Sequence, residues 1–194
     1  DQANKIVVLA SGENIAYDKL LVCTGSTPLV PPMEGLEKVG KKFTFLSFDD
    51  TKAIKAAVSA DSRVLILGAG LIGLKAAEAL NNQVAQITVV DLADRILPSI
   101  LDAEGAEMMQ RHIENQGVVF HLGDSVKQFS CSSALLHSGL KIDFDLLILA
   151  VGVRPNCSLL TEAGAKTGRG IQTDHFQRTS LPDIYAAGDC TESL

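Results

Sequence analysis

The chain has 194 residues, 46% hydrophobic and 21% charged, the composition of a folded globular protein and not of a disordered one. Its 17 Lys and Arg against 23 Asp and Glu leave a net charge of −6 with no Lys/Arg run, which argues against nucleic acid or an anionic membrane as partner. The longest apolar run, Leu146 to Val151, falls far short of the roughly 20 residues that cross a bilayer, so membrane insertion is not expected. At about 150 residues per domain, the length suits one domain, or one domain and part of another. The start, Asp1-Gln2-Ala3-Asn4-Lys5, has neither an initiator Met nor a secretory pattern, and a segment of a longer protein is expected. Cys23, Cys131, Cys157 and Cys190 are scattered with no CxxC pair, the usage of a reduced, cytoplasmic protein without a local redox dithiol.

In chain order, the β-branched run Ile6 to Ala10, the turn chemistry of Ser11 to Asn14 and the segment Asn14 to Tyr17 predict a hairpin. Leu20 to Gly25 reads as a strand buried on both faces. Pro28, Pro31, Pro32, Gly35 and Gly40 make the next stretch an irregular linker and a domain boundary. Alternation then sets in. A helix is expected over Phe48 to Ala60, capped by Ser47 or Asp49. It is followed by a strand at Arg63 to Leu67, a helix over Leu71 to Asn81 and a strand at Ala85 to Val90. A helix from Asp102 to Gln116 and a strand at Val118 to Leu122 come next. Three short pieces (Val126 to Phe129, Ala134 to His137, Leu140 to Ile142) predict an antiparallel meander, and Leu146 to Ala150 a last buried strand. The expected fold is α/β: a Rossmann-like parallel sheet with helices on both faces and a small meander.

The most informative stretch is Arg63-Val64-Leu65-Ile66-Leu67-Gly68-Ala69-Gly70-Leu71-Ile72-Gly73, a strand feeding GxGxxG and then a helix. Gly68 serves the tight turn, Gly70 lets the backbone approach a pyrophosphate, and Gly73 lets the helix pack on the strand. The free N–H groups of the first helical turn, at Leu71, Ile72 and Gly73, suit a phosphate. Asp91 ends the next strand at about the 20-residue spacing where a carboxylate accepts hydrogen bonds from an adenosine ribose. Such a charge also repels a 2′-phosphate, which favours NAD(H) over NADP(H), with Arg95 close enough in sequence to soften the preference. The same residues also fit a glycine-rich turn without a ligand and a strand-end Asp that caps the following turn. His112, His121, His137 and His175 are scattered without ligand spacing, and no metal site is expected.

With these motifs the chain resembles the FAD-dependent pyridine nucleotide-disulfide oxidoreductases. It is most similar to their NADH-dependent branch of nitrite, rubredoxin and ferredoxin reductases and NADH oxidases. Four motifs in order carry the resemblance: Tyr17 to Ser26, the GxGxxG with its acidic strand end and Asp94-Arg95-Ile96-Leu97-Pro98, Ile148 to Asn156, and Thr179 to Asp189. The resemblance implies that Gly152 lines the nicotinamide side of the NAD cleft, although a strand-ending glycine fits as well. It further implies that Gly188 and Asp189 lie near flavin, Asp189 accepting from a ribityl hydroxyl; an ordinary Gly-Asp turn is the plainer alternative. Lys75 stands where the family commonly has Glu, and Leu71 where many members place an aromatic gate.

The organisation expected from the resemblance is residues 1–40 as an N-terminal piece of the FAD domain with its linker, 41–155 as the NAD(H)-binding domain, and 156–194 as a truncated C-terminal FAD piece. The implied parent is an NADH-dependent flavoprotein oxidoreductase, homodimeric, passing hydride from NADH to flavin and on to an acceptor that these residues do not specify. The segment alone is expected to be incomplete, inactive and monomeric. No acid, base or nucleophile is assigned, because the cofactors carry the chemistry. The competing reading is a non-catalytic NAD(H)-binding or interaction module without a flavin half.

Overall fold

The computed structural model describes residues 1–193, which fall into two compact units. One unit is Pro28–Gly152; the other joins Asp1–Thr27 to the chain from Val153 onward. The first stretch forms the hairpin β1 (Ile6–Val8) and β2 (Asn14–Ala16), then β3 (Leu20–Val22) and β4 (Ser26–Pro28).

The Pro28–Gly152 unit holds β5 (Lys42–Thr44), α1 (Phe48–Ala57), β6 (Arg63–Leu67), α2 (Leu71–Leu80) and β7 (Gln86–Asp91). It continues with α3 (Ala103–Glu114), β8 (Val118–Leu122), the three strands β9 (Val126–Phe129), β10 (Ser133–Leu136) and β11 (Lys141–Asp143), and β12 (Leu146–Leu149). Five strands make a parallel sheet in the order β5-β12-β6-β7-β8, and β9 to β11 make the antiparallel meander. The chain moves outward from β6 through β7 to β8 and returns to place β12 on the other flank of β6. The order therefore reverses at β6, which opens a crevice at the carboxyl ends of the strands on either side of it.

Both faces of this sheet are covered, which is why β6, β7 and β12 are apolar at successive positions. Val64, Ile66, Ile87, Val89, Leu146 and Ile148 share one core with Ile54 of α1, Leu74 and Ala77 of α2 and Ala106 of α3. The alternate residues Leu65, Leu67, Val90, Leu147 and Leu149 pack on Phe129, Leu136 and Phe144. The α/β class with a parallel sheet matches expectation, but the helices occupy one face and the meander takes the place of helices on the other. The expected linker also differs. Residues 28–40 pack into this unit, because Leu36 and Val39 are buried in the meander-side core and the Phe129 N–H donates to the Glu34 carbonyl at 2.8 Å. The division thus falls at Thr27/Pro28 and Gly152/Val153, not at 40 and 155.

Helix boundaries follow their caps. Ser47 and Asp50 form a reciprocal capping box at the start of α1, and Asp102 caps α3 by accepting from the Gly105 N–H at 2.8 Å. Helix α1 ends at Ala57 instead of Ala60, because Val58 turns to extended backbone.

Beyond Gly152 the chain adds β13 (Val153–Pro155), α4 (Ser158–Glu162), β14 (Ile171–Thr173), β15 (Ile184–Ala186) and β16 (Thr191–Ser193). β15 runs parallel to β3, β14 to β16, and β4 pairs with β13. Val22, Leu160, Ile171, Ile184, Ala186 and Cys190 form the core of this unit. Among the described residues no helix is long and apolar enough to cross a membrane.

At the amino ends of β6 and β12, Arg63 grips Asp145 with Nε to Oδ2 at 3.0 Å and Nη2 to Oδ1 at 2.9 Å. This guanidinium lowers the Asp145 carboxyl from 3.8 to about 2. A depressed folded-state value means that the stabilisation is complete above the ordinary carboxyl range and is lost as pH falls through about 2. Both side chains are partly exposed, so Asp145→Asn is expected to cost about 1 kcal/mol or less near neutrality. Urea denaturation of both proteins from pH 7 down to about pH 2 checks this: the difference holds above the ordinary carboxyl range and shrinks as pH falls through about 2.

Candidate functional site

The site is built on the turn from β6 to α2. Gly68 sits at φ +110°, in the left-handed region, where its N–H donates to the Val90 carbonyl at 2.8 Å. A Cβ on Gly68 would collide with the Ala150 carbonyl, and one on Gly73 with the carbonyl of Gly68. These two glycines are explained by the fold: they let the end of β12 and the first turn of α2 close onto one peptide. Gly70 is different. Its φ of −79° suits any residue, and a Cβ there would meet nothing within 4 Å. Nothing inside the chain requires glycine at this position, and its absence of a side chain leaves the backbone open to a group from outside.

Gly70 is also the N-cap of α2 and offers no side chain, and the first turn carries no acidic residue. Helices α1 and α3 each have one first-turn N–H taken up by a capping side chain, that of Asp50 by Ser47 and that of Gly105 by Asp102. At α2 no side chain caps the first turn, and Leu71 and Ile72 border open space with the positive end of the helix dipole behind them, an arrangement suited to an anion.

That open space is a cleft of about 810 Å³ over the carboxyl ends of β6, β7 and β12. Gly68, Gly70, Leu71 and Ile72 form its floor, Asp91 and Leu92 one wall, and Ala150, Val151 and Gly152 the opposite one. Asp91 closes β7. Its Oδ2 accepts from the Ala69 N–H at 2.5 Å and its Oδ1 from the Ala93 N–H at 2.7 Å, so the carboxylate is fixed against the glycine turn. Each oxygen keeps a lone pair for a further donor. A smaller hollow of about 370 Å³ lies between α2 and α3, walled by side chains including Leu74, Met109, His112 and Ile113.

The sequence profile of the pyridine nucleotide-disulphide oxidoreductases matches residues 1–194. The chain belongs to this family. It is 36% identical to a rubredoxin-NAD(+) reductase of Alcanivorax borkumensis over 197 residues, which cover 99% of this chain and 51% of that protein. It is 35% identical to an NADH oxidase of Methanocaldococcus jannaschii over 184 residues, 92% of this chain and 41% of that one. Among solved structures, a putidaredoxin reductase in covalent complex with putidaredoxin superposes with a TM-score of 0.92 at 28% identity, covering all of this chain and 48% of the other. The chain thus spans about half the length, or less, of these relatives.

Within this family member, the structure brings Gly68, Gly70, Leu71, Ile72, Asp91 and Gly152 together around one cleft. Gly73 is buried beneath it, acting through packing. Arg95 is not part of the lining; its Nη1 lies 3.3 Å from Asp94 Oδ1. Lys75 pairs with Glu78 at 2.7 Å on the exposed side of α2 and faces the smaller hollow. Gly188 and Asp189 belong to the other unit. There Gly188 has φ +84° with nothing within 4 Å of a built Cβ, and exposed Asp189 accepts from the Ser26 hydroxyl at 3.2 Å. Sequence reasoning missed Pro31, Met33, Ser99, Asp124 and Ser125, all of which line the cleft. Only the strand order could have shown this, since β8 and the stretch before β5 reach the cleft through tertiary packing.

Thermal melts separate the two kinds of glycine. Gly73→Ala forces a backbone collision and is expected to lower Tm strongly. Gly70→Ala, with room for its methyl, is expected to stay within about 1 kcal/mol of wild type, the ordinary cost of Ala at a helix N-cap.

Proposed function

We propose that this chain is the NAD(H)-binding segment of a larger FAD-dependent oxidoreductase that takes hydride from NADH and passes the electrons to a separate acceptor. The observation that carries the reading is the uncapped start of α2 above Gly70, facing a cleft whose far wall carries the anchored Asp91. In this reading the NADH diphosphate accepts from the N–H groups of Leu71, Ile72 and Gly73, and the adenosine ribose hydroxyls donate to Asp91. Gly152, at φ +114° with open space where a side chain would stand, leaves room for the nicotinamide at the end of β12. Pro28–Gly152 is then the NAD(H) domain, and Asp1–Thr27 with the chain from Val153 onward contributes to the FAD domain. The open face of Gly188 and the exposed carboxylate of Asp189 fit a polyol hydroxyl there. Flavin, when bound, supplies the two-electron acceptor for the nicotinamide hydride; the chain's own residues bind and orient.

The relatives' names support NADH as donor and differ in the acceptor, one being a rubredoxin reductase and the other an oxidase.

Titrating the chain with NADH while following cofactor fluorescence tests the proposal. The expected outcome is saturable binding that NADPH displaces at least about tenfold less well, since a 2′-phosphate meets the Asp91 charge. A flat titration with both nucleotides would overturn the reading.

A further inference from the structure

The cleft attracts an anion through backbone dipoles alone, and the side chains that line it carry the opposite preference. Among the described residues, none of the lining side chains is Lys or Arg; the charged ones are Asp91 and Asp124. The nearest cation in sequence, Arg95, is engaged with Asp94 and lies outside the lining. The two carboxylates stand at the carboxyl ends of the neighbouring parallel strands β7 and β8, whose last paired residues are Asp91 and Leu122. The Asp124 N–H donates to the Asp91 carbonyl at 3.2 Å, which ties the two residues together.

Asp124, like Asp91, is held by backbone amides. Its Oδ1 accepts from the Ser125 N–H at 2.8 Å and from the Ser138 N–H at 3.4 Å. The Ser138 hydroxyl, helped by these amides, keeps its carboxyl below the ordinary range. The group is thus charged across the physiological range and, on the rim of the cleft, is tied to the turn at Ser138.

We infer that Asp124 is a second specificity-determining residue, which together with Asp91 excludes dinucleotides bearing a 2′-phosphate. The inference rests on the reading of the cleft as the NAD(H) site. A dianionic phosphate placed beside Asp91 would meet the field of a second fixed carboxylate and no compensating cation, whereas a ribose hydroxyl meets an acceptor and no penalty. Discrimination is therefore shared between two strand ends. Neutralising Asp91 alone leaves part of it in place.

The test is the ratio of NADPH to NADH dissociation constants for the whole chain and its variants at low and high salt. Asp124→Asn keeps the acceptor that the turn needs and removes the charge; Asp124→Ser does the same with a shorter side chain, should the amide pack poorly. Both are expected to lower the ratio by about three- to tenfold at low ionic strength, with the drop shrinking as salt is added. Asp124→Glu keeps the charge and is expected to stay near the wild-type ratio. An unchanged ratio in both neutral variants, or a drop independent of salt, would overturn the inference while leaving NADH binding in place. Failure of wild type to bind NADH at all would overturn the cleft reading and this inference together.

Discussion

The site depends on how closely three pieces of backbone meet at one peptide. The Gly68 carbonyl lies where a Cβ of residue 73 would be, and the Ala150 carbonyl lies where a Cβ of residue 68 would be. With two side chains missing, α2 can start directly above β6 and β12 can end directly beside it. A helix displaced outward by even one methyl would aim its first N–H groups elsewhere. The packing of α2 on Val64, Ile66 and Ile87 locks this placement, since Leu74, Ala76, Ala77 and Leu80 of the helix are buried in the same core.

In the proposed reading of the cleft, attraction and selection are divided between backbone and side chains. The N–H groups at the start of α2 are fixed by the helix itself, cost no side-chain entropy and bind any phosphate that fits. They do not discriminate among dinucleotides. In this reading discrimination falls to Asp91 at the end of β7 and Asp124 just beyond β8, each held by backbone amides. The exposed pair of Lys75 with Glu78 stands apart from the cleft.

What could be read from the sequence follows from where the determining forces act. β6, β7 and β12 are legible because a strand buried on both faces must be apolar at every position, and Ser47 and Asp102 announce their helices because capping is local. The glycine turn and Asp91 are legible because their spacing reflects one strand–turn–helix–strand unit. Residues 28–40 read as a linker because prolines dominate, yet Leu36 and Val39 find a core that only the meander provides. The meander's choice of face depends on a tertiary contact, as does β5, a three-residue strand paired only with β12, far away in sequence. Asp124 is hidden for the same reason: β8 must lie beside β7 before its end reaches the cleft.

The most direct test of the central claim is the backbone amide spectrum of the labelled chain during an NADH titration. The account predicts that the largest shifts fall on Gly70, Leu71, Ile72 and Gly73, with Ala69 and Ala93 following as Asp91 takes the ribose. Shifts concentrated instead on the hollow between α2 and α3, at Met109, His112 and Ile113, would contradict it.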